Sequence, residues 1–214
     1  QTSIQKPDIF ILVHYFGNPS DGKQARQFCN DHEYVLVEDA AHALGANYSN
    51  GQKVGSCCYS DMTIFSFHPV KSIAAGEGGL ITTNDEALYR KLIRLRSHGI
   101  NKLNDPLLNQ NESMTDGSVN RWYYEMQELG FHYRITDIQC ALALSQLKKL
   151  DKFIERRRML VNKYDSYFKG LEFLSPAQSL SRELSSHHLY VLRLKFNELN
   201  ITRNDFMKLL RKKE

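Results

Sequence analysis

The chain has 214 residues, 42% hydrophobic and 24% charged, with a net charge of +4. That is room for one large domain, or one domain and part of another. The basic excess sits in Arg156-Arg157-Arg158 and Arg211-Lys212-Lys213. It forms no stripe with interleaved aromatics, which argues against a nucleic-acid partner, and no apolar run approaches the roughly 20 residues of a membrane span.

Ile9 to Tyr15 is a short continuous apolar run, as in a strand covered on both faces. A Gly17-Asn18-Pro19-Ser20 turn, a helix over 20–32 and a strand over 34–38 follow, in the order of a crossover unit. Residues 47–55 read as loop. Strands are expected over 62–67 and 79–83, with Lys71 in the bend between them. Asn84 or Asp85 can cap a helix over 86–97. Residues 100–121 are polar and read as one unusually long loop.

Thr136 and Gln139 have the spacing of a capping box. The helix they start carries Leu144, Leu147, Leu150 and Ile154 at steps of three and four, and its pattern runs to about Lys169 with a bend. From Gly170 to Ser186 the composition turns polar. A division follows there, with 1–170 in a large domain and its following helices and 171–214 beginning a small C-terminal domain. His188 to Leu194 alternates like a half-buried strand, and Thr202 caps a last helix. Both ends look cut, so the chain reads as an internal piece of a longer protein. Cys29, Cys57, Cys58 and Cys140 contain no C-x-x-C pair. They read as reduced thiols of a cytoplasmic protein, and no metal site is expected.

The run Phe65 to Gly79 carries the most chemistry. Lys71 follows an apolar strand, Ser66 and a proline turn, and a glycine-rich bend comes after it. Thirty-two positions before Lys71, another apolar strand ends in Glu38-Asp39-Ala40-Ala41-His42. A sheltered lysine is more readily neutral, and so more readily a nucleophile. A carboxylate such as Asp39 against a pyridine nitrogen keeps that ring an electron sink. His42 can lie on such a ring, and the Ser66 hydroxyl can meet a phosphate. Taken singly, each residue is more often structural. His14, His32, His68, His98 and His187 read as surface or satisfied core histidines. The residues alone reach an α/β enzyme with a candidate activated lysine.

Four segments together resemble the DegT/DnrJ/EryC1/StrS nucleotide-sugar aminotransferases: Glu38 to Gly45, Val54-Gly55-Ser56, Ser66 to Gly79, and Gly130 to Ala141. Arg96 to Ile100 is similar as well. The resemblance implies the type I fold of pyridoxal 5'-phosphate enzymes, with a mostly parallel sheet in the large domain and the start of a small α/β domain. It implies a homodimer with sites at the subunit interface. By position, Lys71 bonds the cofactor covalently, Asp39 faces its ring nitrogen, His42 stands beside the ring and Ser66 binds its phosphate. His132 stands where the family has an Asn that reaches the neighbouring subunit's phosphate. Trp122 to Met126 and Ser186 to Tyr190 are most similar to members that aminate C4 of a UDP-linked 4-keto-6-deoxy sugar on the way to pseudaminic acid. A nucleotide-sugar substrate and an amino donor, glutamate, follow as partners. The alternatives are a family member acting on another keto-sugar, and a non-catalytic or truncated remnant of the fold. Lys71 argues against the related dehydratases, which commonly carry His there.

Overall fold

The computed structural model describes residues 8–101, 105–177 and 182–212. Its centre is a four-stranded sheet in the order β1 (Ile9–Val13), β2 (Val35–Asp39), β3 (Met62–Ser66), β4 (Gly79–Thr82). β1, β2 and β3 are parallel, and β4 returns antiparallel. The mostly parallel sheet is thus present. Helix α1 (Gly22–His32) makes the crossover from β1 to β2. It starts two residues later than expected, because Asp21 caps it by accepting the Gln24 N–H at 2.9 Å. Ala25 and Cys29, one turn apart, bury its inner face with Leu36 of β2.

The connection from β2 to β3 is a chain of turns built on small residues. Ala40, Ala43 and Ala46 are fully buried there and pack with Tyr48, Val54 and Phe65 into the main core. Asp85 caps α2 (Glu86–Leu95) through Ala87 and Leu88 N–H groups at 2.7 and 2.9 Å.

The segment expected as one long loop holds short elements: β5 (Ile100–Asn101), α3 (Gln110–Ser113), β6 (Met114–Thr115) and β7 (Ser118–Val119), with β8 (Glu125–Met126) pairing to β5. Glu125 gathers them. It accepts the Leu108 and Asn109 N–H groups, the Tyr123 hydroxyl and the Gln127 amide, and its carboxyl is held down to about 2 by these bonds, Leu108's first. Gly99 has φ +69°, and a Cβ there would lie 1.7 Å from the Glu128 carbonyl oxygen, so only glycine permits this crossing.

The capping box forms as read, with Thr136 and Gln139 bonded reciprocally at the start of α4 (Asp137–Leu147). The expected bend is a break at Lys148-Lys149, and α5 (Leu150–Phe168) runs on from it. Leu150 and Ile154 carry α5 into the main core. Beyond it come β9 (Leu174–Pro176), β10 (Leu192–Leu194), α6 (Phe196–Leu199) and α7 (Arg203–Arg211), the last capped by Thr202. β10 is shorter than the strand expected over 188–194. The chain before it bonds elsewhere: the Ser186 N–H donates to Gly17 O at 3.0 Å and the Leu189 N–H to Phe16 O at 3.1 Å. Among the described residues no helix is long and apolar enough to cross a membrane.

Candidate active site at the end of the parallel strands

Successive residues of a strand point to opposite faces, so Glu38 and Asp39 at the end of β2 face opposite ways. Register aligns Asp39 with Val13 of β1 and Ile64 of β3, and Ser66 lies two residues beyond Ile64. Asp39 and Ser66 therefore share a face. That face is open: Ile11, Val13 and Ile64 on it are 62%, 47% and 41% exposed. The opposite face carries Glu38, Thr63 and Phe65 into the core.

Glu38 is completely buried and saturated. It accepts from the Tyr48 hydroxyl and, at 2.8 Å, from the Thr63 hydroxyl, and His14 Nε2 stands 3.7 Å away. His14 Nδ1 accepts the Ser20 N–H at 2.9 Å, which leaves the proton on Nε2, toward Glu38. Burial pushes the Glu38 carboxyl up, but the bonds from His14, Tyr48 and Thr63 outweigh it and leave a net lowering. Burial and the Glu38 bond push the Tyr48 hydroxyl far up, so it stays a donor. His14 is the satisfied core histidine that the sequence suggested.

Asp39 has a different setting. Oδ1 accepts the Ala41 N–H at 3.0 Å, and the side chain is only half-buried. Three residues on, the His42 ring lies 5.5 Å from the Tyr15 ring and 4.5 Å from the His188 ring. Its pKa is lowered, first by burial and then by the charge of Lys71, while Asp39 opposes the shift. His42 is thus within electrostatic reach of both the lysine and the carboxylate.

The Lys71 loop is fixed from both sides. Ahead of the lysine, Ser66 Oγ accepts the His68 N–H at 3.4 Å, and the Lys71 N–H closes a turn onto His68 O at 2.9 Å. Behind it, Ser72, Ile73 and Ala75 are buried. The Gln139 amide, at the start of α4, donates to Glu77 O at 3.1 Å. The half-buried Lys71 thus projects from an anchored loop.

Lys71 and Asp39 both act electrostatically on His42, and Ser66 lies on the face of Asp39. His132 lies in the segment before α4. It is exposed, bridges to Ser97 and meets the His98 ring edge-on at 5.3 Å.

Two residues of the site were missed in the sequence. His188 lay in a run read as strand. It lies tilted against His42 because its segment is bolted to the chain after β2 and to the turn after β1: the Ser186 hydroxyl donates to His42 O at 2.9 Å and the Ser185 hydroxyl to Gly17 O at 3.0 Å. Gly17 has φ +97°, and a Cβ on it would sit 2.5 Å from Ser186 Oγ. Burial, with the charges of His42, Lys71 and Arg157, lowers His188 to about 4. Its Nδ1 is shut from solvent without a hydrogen-bond partner among the described residues. Arg157 was read only as part of a charge run, yet its Nη1 donates to Ser72 Oγ at 3.0 Å, beside Lys71.

This donor set fits pyridoxal phosphate: an amine on an anchored loop, a carboxylate with one backbone partner, a hydroxyl on the same face, and an imidazole within electrostatic reach of amine and acid. A separate cleft of about 200 Å³, lined by Glu86, Arg90, Arg94 and Asp105 among others, lies elsewhere. Its charges neutralise one another in ion pairs.

The profile of the DegT/DnrJ/EryC1/StrS aminotransferase family matches residues 5–214. The UDP-4-amino-4,6-dideoxy-N-acetyl-beta-L-altrosamine transaminase of Campylobacter jejuni is 37% identical over 183 residues, 86% of this chain and 44% of that protein. Among solved structures, the Helicobacter pylori PseC aminotransferase of pseudaminic acid biosynthesis superposes with a TM-score of 0.79 at 29% identity, over 94% of this chain and 49% of that one. Spr1654 of Streptococcus pneumoniae, solved in a PLP form, gives 0.71 at 29% identity over 94% and 52%. The fold is that of these aminotransferases, and the chain spans about half the length of the curated relatives it matches.

Proposed function

Because the chain belongs to the DegT/DnrJ/EryC1/StrS aminotransferase family, we propose that it carries out pyridoxal phosphate-dependent transamination of a nucleotide-linked 4-keto-6-deoxy sugar. The sugar is UDP-linked, glutamate is the amino donor, and the product feeds surface polysaccharide or nonulosonic acid biosynthesis. The observation that carries this reading is the placement of Asp39 and Ser66 on one open face of the sheet, with Lys71 on an anchored loop beyond Ser66. The substrate class rests on the similarity to the Campylobacter transaminase and to PseC.

Lys71 would hold the cofactor covalently, Asp39 its ring nitrogen, His42 one side of its ring and Ser66 its phosphate. When bound, pyridoxal phosphate supplies an electron-accepting ring that makes a neighbouring C–H acidic. The chain's residues do the rest. Once a reactant's amino group displaces it from the cofactor, Lys71 Nζ would be a free amine able to hold and move a proton as general base. The lowered pKa values of His42 and His188 keep both imidazoles neutral near pH 7, so they add no positive charge beside the lysine.

His132, which is exposed, serves the neighbouring subunit's site in a homodimer. Residues from 171 begin the small domain. The four free thiols suit a reducing cytoplasm. The test is an amination assay on the full-length protein with a panel of UDP- and dTDP-linked keto-sugars and glutamate. Amination of a UDP-linked 4-keto sugar, lost in Lys71→Ala, supports the reading. Turnover that survives Lys71→Ala contradicts it, and preference for another sugar corrects the substrate.

A further inference from the structure

Leu150, Ile154 and Val161 of α5 are its buried residues. Arg157 lies three positions after Ile154 and four before Val161, which puts it on that same stripe. A guanidinium on the buried side of a helix is costly unless it is paired. The other partly buried arginines of this chain are paired. Arg26 meets Asp61 at 2.8 Å, Arg94 meets Asp105 at 2.9 Å and also Glu128, and Arg182 meets Asp165. Arg157 has no carboxylate partner among the described residues. Its hydrogen bond goes to the neutral Ser72 hydroxyl, which is 6% exposed and adjacent to Lys71. The contrast shows in the charges: bonds to Glu128 and Glu86 raise Arg94 and Arg90, whereas burial alone lowers Arg157.

A guanidinium has five N–H donors in a rigid fork suited to a pair of oxygens. One of the five is used here, on Ser72. After burial, the charges of His42, Lys71 and Arg157 all act on His188, so the guanidinium is within electrostatic range of the Lys71 site.

We propose that Arg157 is the oxyanion-binding residue of the Lys71 site, and that it takes the oxygen pair of a reactant's carboxylate or phosphate. The proposal deepens the aminotransferase reading, which names the two reactants that bring such groups: the amino donor brings carboxylates and the nucleotide sugar a diphosphate. Planar bidentate pairing suits either. The Ser72 hydroxyl occupies one N–H of the fork and leaves the others for a ligand.

The test is isothermal titration calorimetry on the full-length holoenzyme with two unreactive probes, maleate for a dicarboxylate and UDP for a diphosphate. Arg157→Gln should weaken one probe by about tenfold or more, the scale of a lost charge-assisted pair. Loss of maleate assigns the donor's carboxylate, and loss of UDP assigns the diphosphate. Arg157→Lys keeps the charge without the fork and should weaken the same probe by a smaller factor. It also serves as the test if Arg157→Gln does not fold. Ser72→Ala, which cuts the same hydrogen bond from the other end, should change neither probe by more than about threefold. Unchanged binding of both probes in the Arg157 variants overturns the proposal. An equal loss in Ser72→Ala, or an Arg157→Gln effect confined to pyridoxal phosphate affinity, overturns it too, because Arg157 would then only brace the lysine loop. These readouts involve no turnover, so they stand or fall separately from the Lys71→Ala amination assay.

Discussion

Glu38 and Asp39 are neighbours on one strand, yet they belong to two regions with opposite chemistry. On the core side, Glu38 is fully buried and bonded by Tyr48 and Thr63, with His14 close by. On the open side, Asp39 accepts one backbone N–H and acts, with Lys71, on the His42 imidazole. A saturated carboxylate holds a fold together, because its partners leave nothing for a reactant. A half-open carboxylate with few partners is available to chemistry. Strand alternation alone separates the two roles by a single residue.

Exchanging the effects of these two acids is the strongest way to break the comparison. Asp39→Asn should cut amination by about 10³-fold, within the range of a lost catalytic group, with thermal unfolding little changed. Glu38→Ala should cost about 3–5 kcal/mol, because it strands buried donors on Tyr48, Thr63 and His14. Denaturant unfolding of the full-length protein measures it. If Glu38→Ala leaves stability intact while Asp39→Asn unfolds the protein, the two regions have been assigned the wrong way round.

The sequence carried this distinction only in part. Lys71, Asp39, His42 and Ser66 stood out because they lie in contiguous motifs, and the Thr136 capping box because its spacing is local. The sheet strands were legible from apolar runs, to within a residue or two at each end. The Glu38 cage was not, since its partners lie 10 and 25 positions away, and no short period links them. His188 escaped because alternation over 188–194 suggested a ladder, whereas the Leu189 N–H goes to Phe16 and that of Ser186, just before the segment, to Gly17. Arg157 was hidden in a triple of basic residues. The signal that could have found it was its place on the Leu150, Ile154 and Val161 stripe.

Smaller changes sharpen the picture. Tyr48→Phe removes one donor to Glu38 and should cost about 1–3 kcal/mol, with activity retained. Ser186→Ala releases the segment that sets His188 on His42, and should cost about 1 kcal/mol while lowering activity several-fold by about the same free energy.

A further expected effect is a pH slope. His188 is lowered from the ordinary 6.5 to about 4. Between these values the unfolded chain takes up a proton that the folded chain refuses. Stability therefore falls as pH drops from about 6.5 toward 4, and is unaffected by this group above that window. Glu38, also lowered, adds a loss that begins only below about 4.5. His188→Asn should reduce the slope of the upper part, to which the lowered His42 and His187 also contribute, and leave the lower part. An unchanged slope across the upper window would show that His188 titrates as it would in water.

The central claim is that Lys71 is the residue that holds the cofactor. Borohydride reduction of the full-length protein with pyridoxal phosphate, followed by proteolysis and mass spectrometry, tests it most directly. The pyridoxyl mass should sit on the peptide containing Lys71 and disappear in Lys71→Ala. A pyridoxyl group fixed on another lysine, or none fixed at all, would contradict the account.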